Sequence, residues 1–254
     1  MAEILVTGGT GTLGGALVAR LREQGCEPRV LSRHPWPGRA VGDLETGVGI
    51  AAAVRGADVV VHAASRPGHD VAQAHTLLDA LRDEGGPAGG TPHLVFVSIV
   101  GVDRVPVAYY RDKIAIERMI ADAGVPWTVQ RATQFHDLLA TLFGVLGRTP
   151  VLPVLAGARF QPVDVRDVAE RLAALAVGAL AGRADDLGGP QVRTMGDLAR
   201  AWAAATGRRR VVAPIPLPGA LARAVREGGL LAPDHVDGRI TFEEFLDAAR
   251  AGAG

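Results

Sequence analysis

The chain has 254 residues, of which 48% are hydrophobic and 21% charged, and its formal net charge is zero. That length accommodates one substantial α/β domain, or a core with a smaller lobe, and the composition is that of a globular protein. The charge balance recommends neither nucleic acid nor an anionic membrane as a partner, no apolar run is long enough to span a bilayer, and no secretory signal opens the chain, so a cytoplasmic protein is expected.

Strands and helices alternate from the start. Glu3–Thr7 reads as a buried strand, Gly14–Glu23 as a helix, Pro28–Ser32 as a strand and Arg39–Leu44 as a short third strand. A short helix at Val48–Arg55 leads to a strand at Asp58–Ala64, a helix at Val71–Asp83 and a Gly/Pro loop over Glu84–Pro92. His93–Ser98 follows as a strand, Tyr109–Ala123 as a helix and Pro126–Arg131 as a strand. Such alternation implies right-handed crossovers and a doubly wound parallel sheet of Rossmann type.

Beyond about residue 134 the pattern loosens. Helices are expected at His136–Leu146 and Val165–Leu180, and Thr194-Met195-Gly196-Asp197 and Thr241-Phe242-Glu243-Glu244 read as capping boxes opening two more. The whole chain is read as a single compact unit, 1–254. Its Rossmann core would cover about 1–134 plus 163–181, and a small C-terminal substrate lobe about 135–162 and 182–254 would close one side of a cleft.

The first strand runs into Thr7-Gly8-Gly9-Thr10-Gly11-Thr12-Leu13-Gly14. Gly8 permits a tight turn, Gly11 a close approach of backbone to pyrophosphate, and Gly14 the packing of helix on strand. The unpaired N–H groups at the helix start then face the anion. Strand, glycine turn and helix in that order imply a dinucleotide, with Gly8, Thr10, Gly11, Thr12, Leu13 and Gly14 as the loop that holds it. NAD is usually held by a carboxylate at the end of the second strand, but here that strand ends Leu31-Ser32-Arg33-His34. An arginine fork suits a 2′-phosphate, so NADP(H) is expected in preference to NAD(H), with Ser32 and Arg33 at the phosphate. Asp43 and Leu44, after the third strand, would sit beside the adenine, and Ala63 and Ala64 would line the cofactor site.

Tyr109-Tyr110-Arg111-Asp112-Lys113 holds both tyrosines and the only lysine among 27 basic residues. Tyr109 and Lys113 are one helical turn apart, and an ammonium near a phenol stabilises the phenolate. A tyrosine so placed can protonate a carbonyl oxygen while hydride arrives from a nicotinamide, and the lysine can hold the nicotinamide ribose. Tyr110, three residues before Lys113, is an alternative acid or a substrate contact.

These motifs resemble the short-chain dehydrogenases/reductases, and more narrowly their atypical NmrA-like branch of NAD(P)H-binding proteins. The resemblance is carried by Thr7-Gly8-x-x-Gly11-x-x-Gly14, Val97-Ser98-Ile99-Val100-Gly101 and Tyr109-x-x-x-Lys113. Arg131-Ala132-Thr133-Gln134-Phe135 and Val163-Asp164-Val165-Arg166-Asp167-Val168-Ala169 extend it. It implies that Ser98 orients the substrate carbonyl, that Tyr109 is the acid/base and that Lys113 binds ribose. Thr133, Gln134 and Phe135 would lie near nicotinamide and substrate, and His136 is a further candidate substrate contact. The classical branch of that family adds a catalytic asparagine that supports a proton relay, and this chain contains no asparagine.

The reading that results is an NADPH-dependent oxidoreductase that reduces a carbonyl, enone or quinone-like group of a small-molecule substrate. Two alternatives stand beside it. One is a non-catalytic redox sensor acting through a protein partner, and the other an epimerase or isomerase that keeps its cofactor. The remaining features have plainer readings. His62 reads as a core or cleft-edge residue and Trp127 as core, Arg208–Arg210 as a solvated end of a helix and loop, and Glu243 with Glu244 as a cap and its neighbour. Cys26 lacks partners for a disulfide or a metal cluster, so no metal is expected.

Overall fold

A computed structural model describes residues 2–35, 38–84 and 90–251, which leaves residues 85–89 of the expected Gly/Pro loop outside the described chain. The chain divides into two compact units. The first comprises residues 1–98, 108–130 and 168–184, and the second 99–107, 131–167 and 185–254.

The first unit is built on a seven-stranded parallel sheet. Its strands are β1 (Ile4–Thr7), β2 (Arg29–Ser32), β3 (Arg39–Val41), β4 (Val59–His62), β5 (His93–Ile99), β6 (Trp127–Ala132) and, at the far edge, the short segment Gly182–Arg183. In space they run β3-β2-β1-β4-β5-β6 and then that segment. The central strands β1 and β4 are buried along their whole length, which is why Ile4-Leu5-Val6 and Val59-Val60-Val61 are unbroken apolar runs rather than alternating ones. Helices α1 (Thr12–Glu23), α2 (Ile50–Val54), α3 (Asp70–Asp83) and α4 (Ala108–Ala121) connect the strands. Leu77, Leu78 and Leu81 of α3 and Ile116 and Ile120 of α4 pack with Leu5, Val60, Leu94 and Phe96 of the sheet in one core. Burying each such side chain contributes on the order of 1.5–3 kcal/mol.

The first helix of the second unit is α5 (His136–Leu146), followed by strands β7 (Val151–Leu155) and β8 (Arg159–Phe160). Helix α6 (Val165–Val177) passes from this unit into the first, and Gly182–Arg183 becomes β9. The second unit resumes with β10 (Arg193–Thr194), α7 (Met195–Ala205), β11 (Val211–Ile215), α8 (Ala220–Arg226) and α9 (Phe242–Ala251). Strands β7 and β11 pair in parallel, and β8 pairs antiparallel with β10. The rings of Phe143 and Trp202 lie 6.3 Å apart, and those of Phe143 and Phe242 6.4 Å apart, at the centre of this unit.

Both threonines cap their helices, and at Thr241 the reciprocal capping box is complete. Thr194 accepts from the Asp197 backbone N–H at 3.1 Å. Thr241 accepts from that of Glu244 at 3.3 Å, while the Glu244 carboxylate accepts from the Thr241 backbone N–H at 2.8 Å. Glu243 pairs with Arg193. The unit boundary differs from the sequence reading. Residues 99–107, 131–134 and 163–167 fall in the second unit, where Arg131 donates to Asp103 and Val100 N–H to the Ala132 carbonyl, and residues 182–184 fall in the first.

Candidate active site

The winding of the first unit places its crevice. Strands β1 and β4 are neighbours, with Thr7 opposite His62, and the chain winds from them in opposite directions, to β2–β3 and to β5–β6. Where winding reverses, the loops at the carboxyl ends of the two strands diverge and leave room for a ligand. The glycine turn lies after β1 and the segment Ala63–Ser65 after β4.

Each glycine of the turn answers a different demand. Gly8 has φ +70°, and a Cβ there would stand 2.5 Å from the Ala64 nitrogen. A Cβ on Gly14 would stand 2.1 Å from the Gly8 carbonyl oxygen, so only glycine lets α1 start so close to the turn. Gly9, which the three-residue spacing passes over, is also constrained, since its Cβ would meet Val30 Cγ1 at 2.7 Å. Gly11 is the exception: among the described residues a Cβ there meets only Gly8 O, at 3.3 Å. The fold does not require glycine at position 11, whereas close approach of an anion does. Gly11 caps α1 without a side-chain hydrogen bond, and the first turn carries no acid. The N–H groups and positive end of the helix are therefore left to a ligand, and these residues fit a dinucleotide pyrophosphate.

The groove beside this turn measures about 580 Å³. Of the residues expected at a cofactor, Gly8, Thr10, Gly11, Thr12, Ser32, Arg33, Asp43, Leu44, Ala63 and Ala64 line it. Leu13 and Gly14 are buried beneath the turn. Arg33 is exposed and has no ion-pair partner among the described residues. Ser32 donates to the His34 carbonyl at 2.9 Å, so its hydroxyl shapes the turn that presents Arg33. Asp43 accepts from the Glu45 backbone N–H at 2.9 Å and so also shapes its loop. His34, Glu45, Ser65, Arg66 and Gln73 line the groove as well. Glu45 pairs with Arg66, and that bond holds its carboxyl below the usual range.

Behind Ser65 lies the tyrosine–lysine pair. Lys113 Nζ is 5.3 Å from the centre of the Tyr109 ring and 5.2 Å from that of Phe96. The lysine is buried and pairs with Asp70 Oδ2 at 3.1 Å. Ser65 Oγ donates to the same Asp70 oxygen at 2.8 Å and lies 2.7 Å from the Tyr109 hydroxyl. Asp70 also accepts from the Arg66 backbone N–H. Burial alone would raise the Asp70 carboxyl, but Lys113, Arg66 N–H and Ser65 together hold it below its ordinary value.

Burial pushes the Tyr110 phenol up to about 12, with a smaller contribution from Tyr109. Tyr109 and Tyr110 are thus distinguished by surroundings: among the described residues, Tyr109 is hydrogen-bonded to Ser65 of the groove wall and Tyr110 is not. His62 is enclosed, shares a 2.7 Å hydrogen bond with Thr7 and stacks on Phe96. Burial first, and the Lys113 ammonium second, lower it to about 4, so its ring is neutral at pH 7. Ser98 is buried at the carboxyl end of β5, and its hydroxyl has no partner among the described residues. A buried hydroxyl left unpaired inside a fold is costly unless a ligand group completes it.

The remaining expected residues lie in the second unit. Thr133 donates to the Gln161 carbonyl and accepts from Gly189 N–H at 3.3 Å. Gln134 is buried and donates to the Leu230 carbonyl at 3.1 Å, and Phe135 is half-buried. His136 requires a correction as a substrate contact. Its side chain is 0% exposed, donates from Nε2 to the Ile240 carbonyl at 2.9 Å and packs against Phe242 and Phe245. An amphipathic helix start put it beside Phe135, and the aromatic core of the unit absorbed it.

Sequence reasoning missed Ser65, Asp70, Glu45, Arg66 and Gln73. Asp70 carried no signal of its own, because an acid in the first turn of α3 has an ordinary helix-end role and the burial of Lys113 shows only in the fold. Among the described residues no cluster of histidine, cysteine, aspartate or glutamate is suited to a metal, and no helix is long and apolar enough to cross a membrane.

A reversing parallel sheet with a glycine turn at its switch point defines a dinucleotide-binding protein of Rossmann type. The chain matches the NAD(P)H-binding family over residues 8–176 and belongs to it. It is 31% identical over 207 residues to the (4-alkanoyl-5-oxo-2,5-dihydrofuran-3-yl)methyl phosphate reductase of Streptomyces griseus, covering 75% of this chain and 69% of that one. An uncharacterised protein of Mycobacterium tuberculosis is 34% identical over 228 residues, covering 85% of this chain but only 24% of its own length. This chain therefore spans about a quarter of that protein. Among solved structures, an NADPH-dependent quinone oxidoreductase of Escherichia coli, complexed with NADPH, shares the fold with a TM-score of 0.80 at 19% identity, over 98% of this chain and 100% of that one.

Proposed function

We propose that the protein is an NADPH-dependent oxidoreductase acting on a carbonyl, enone or quinone-like group of a small molecule. The observation that carries this reading is the hydrogen bond between Tyr109 and Ser65 of the groove wall, which ties an acid with a lysine beside it to the nucleotide groove. The reductase of Streptomyces griseus, whose named substrate bears oxo and alkanoyl groups, supports the substrate class.

Bound reduced nicotinamide would supply hydride. The N-terminal N–H groups of α1 and the turn Gly8–Gly11 would hold the pyrophosphate, and Arg33 the 2′-phosphate that favours NADP(H) over NAD(H). Asp43, Leu44, Ala63 and Ala64 would form the walls around the nucleotide. Tyr109 would give its proton to the substrate oxygen, and Lys113 would stabilise the phenolate left behind. Lys113 has three donors, one of which goes to Asp70, so two stay available for a ribose. The unpaired Ser98 hydroxyl is suited to a substrate oxygen. Thr133, Gln134, Phe135 and Tyr110 remain the candidate residues around nicotinamide and substrate.

The test is a titration of the purified protein with NADPH and with NADH, followed by cofactor fluorescence, and then NADPH oxidation with carbonyl, enone and quinone acceptors. Tighter NADPH binding and turnover abolished by Tyr109→Phe support the reading. Binding with no turnover on any acceptor would instead indicate a sensor that acts through a protein partner.

A further inference from the structure

The hydroxyl of Ser65 has one proton, and the direction of its hydrogen bonds follows from that count. Asp70 is ionised and can only accept, so Ser65 donates to Asp70 Oδ2. The remaining contact, 2.7 Å from Ser65 Oγ to the Tyr109 hydroxyl, must then be a bond in which Tyr109 donates. Ser65 is exposed, whereas Tyr109 is half-buried and Asp70 buried. The chain has no asparagine to serve a relay, and Ser98 makes no hydrogen bond to Tyr109.

From this geometry we infer that Ser65 is the route by which Tyr109 is reprotonated from solvent, with Asp70 as the positioning residue that fixes Ser65 and Lys113. The inference rests on the oxidoreductase reading above and extends it. In the reducing direction the Tyr109 O–H breaks as the substrate O–H forms, with hydride supplied by the reduced nicotinamide. Ser65 then turns its proton from Asp70 to the Tyr109 oxygen, and a water molecule at its exposed side replaces it. The hydroxide so formed is neutralised by buffer. Each turnover therefore takes one proton from solvent, and Asp70 stays ionised throughout. The charged and titratable groups around this path are Lys113 and Tyr110 on α4, Asp70 on α3, the paired Arg66 and Glu45 in the same groove wall, and His62 at the end of β4, whose imidazole is neutral.

The presence of only two tyrosines makes the path measurable without cofactor. In protein labelled with 13C-tyrosine and carrying Tyr110→Phe, one ring signal reports the ionisation of Tyr109. A hydrogen bond to the phenolate is stronger than one to the neutral phenol. Ser65→Ala should therefore raise the midpoint by about half a unit or more, while Ser65→Thr, which keeps the hydroxyl, restores it. With NADPH and an acceptor, Ser65→Ala should lower kcat about tenfold at saturating NADPH and acceptor, and Ser65→Thr should recover it. Turnover lost in Tyr109→Phe but intact in Ser65→Ala, with an unmoved midpoint, overturns the relay alone. Turnover that survives Tyr109→Phe overturns the oxidoreductase mechanism and the relay together. Ser65 is exposed, so its replacement leaves the fold standing and the result readable.

Discussion

Lys113 and Asp70 form an ion pair of 3.1 Å in which the two side chains are only 5% and 2% exposed. The pair joins the first turn of α3 to the second turn of α4, directly behind the groove wall. Removing one member of such a pair strands a buried charge and costs more than the intact pair contributes. Asp70→Ala should destabilise the protein by about 3–5 kcal/mol, and adding Lys113→Met should recover most of that loss. Urea unfolding of the single and double variants checks it. Equal instability of the two would mean that the ammonium finds another partner.

Acid should act on the same region through His62. Burial and the neighbouring ammonium lower its folded value to about 4, well below 6.5 for the free side chain. Between those values the unfolded chain binds the extra proton, so stability rises with pH there. The contribution is complete above pH 6.5 and is lost as pH falls toward 4, amounting to about 3 kcal/mol. In His62→Gln the decline of stability between pH 7 and 4 should be shallower by about that amount. Parallel curves for the two proteins would show that His62 does not carry the acid sensitivity.

The legible part of the sequence was the part in which one residue type has one physical use. Unbroken valines at 59–61 mean a strand buried on both faces, and glycines at 8 and 14 mean backbone in contact with backbone. Strands β7 and β11 were not legible because Pro153 and Pro214 interrupt them. A two-stranded sheet consists of edges, and there a missing N–H is tolerated. Ser65 and Asp70 lay hidden for another reason. A serine in a loop and an acid at a helix start have ordinary local uses, and only the fold brings α3 and α4 together around the lysine. His136 differs again: it follows Phe135 at a helix start, and the fold turns its ring into the core against Phe242 and Phe245.

Arg33 provides the cofactor test. It lines the groove, is exposed and has no ion-pair partner among the described residues, so its replacement should leave stability within about 0.5 kcal/mol. Arg33→Ala should weaken NADPH binding about tenfold or more, by the loss of a charge-assisted bond to the 2′-phosphate, and leave NADH binding unchanged. An equal loss for both cofactors would place Arg33 at the pyrophosphate or ribose instead.

The glycine turn separates folding from binding at single positions. An alanine methyl at Gly14 would overlap the Gly8 carbonyl at 2.1 Å, and one at Gly8 would overlap Ala64 at 2.5 Å on backbone already at φ +70°. Neither obstacle is a flexible side chain that can turn aside. Gly14→Ala and Gly8→Ala should therefore unfold the protein or shift β1 and α1 apart, with losses of several kcal/mol, on the order of the largest single-residue effects. Gly11→Ala meets only the Gly8 oxygen at 3.3 Å and should fold with nearly parental stability. Its methyl would stand where the backbone must approach the pyrophosphate, so NADPH affinity should fall by about tenfold or more while the melting temperature holds. A Gly11→Ala protein that binds NADPH normally would show that the pyrophosphate is held elsewhere along the groove. A Gly11→Ala protein that fails to fold would show that the turn needs all its glycines for its own sake.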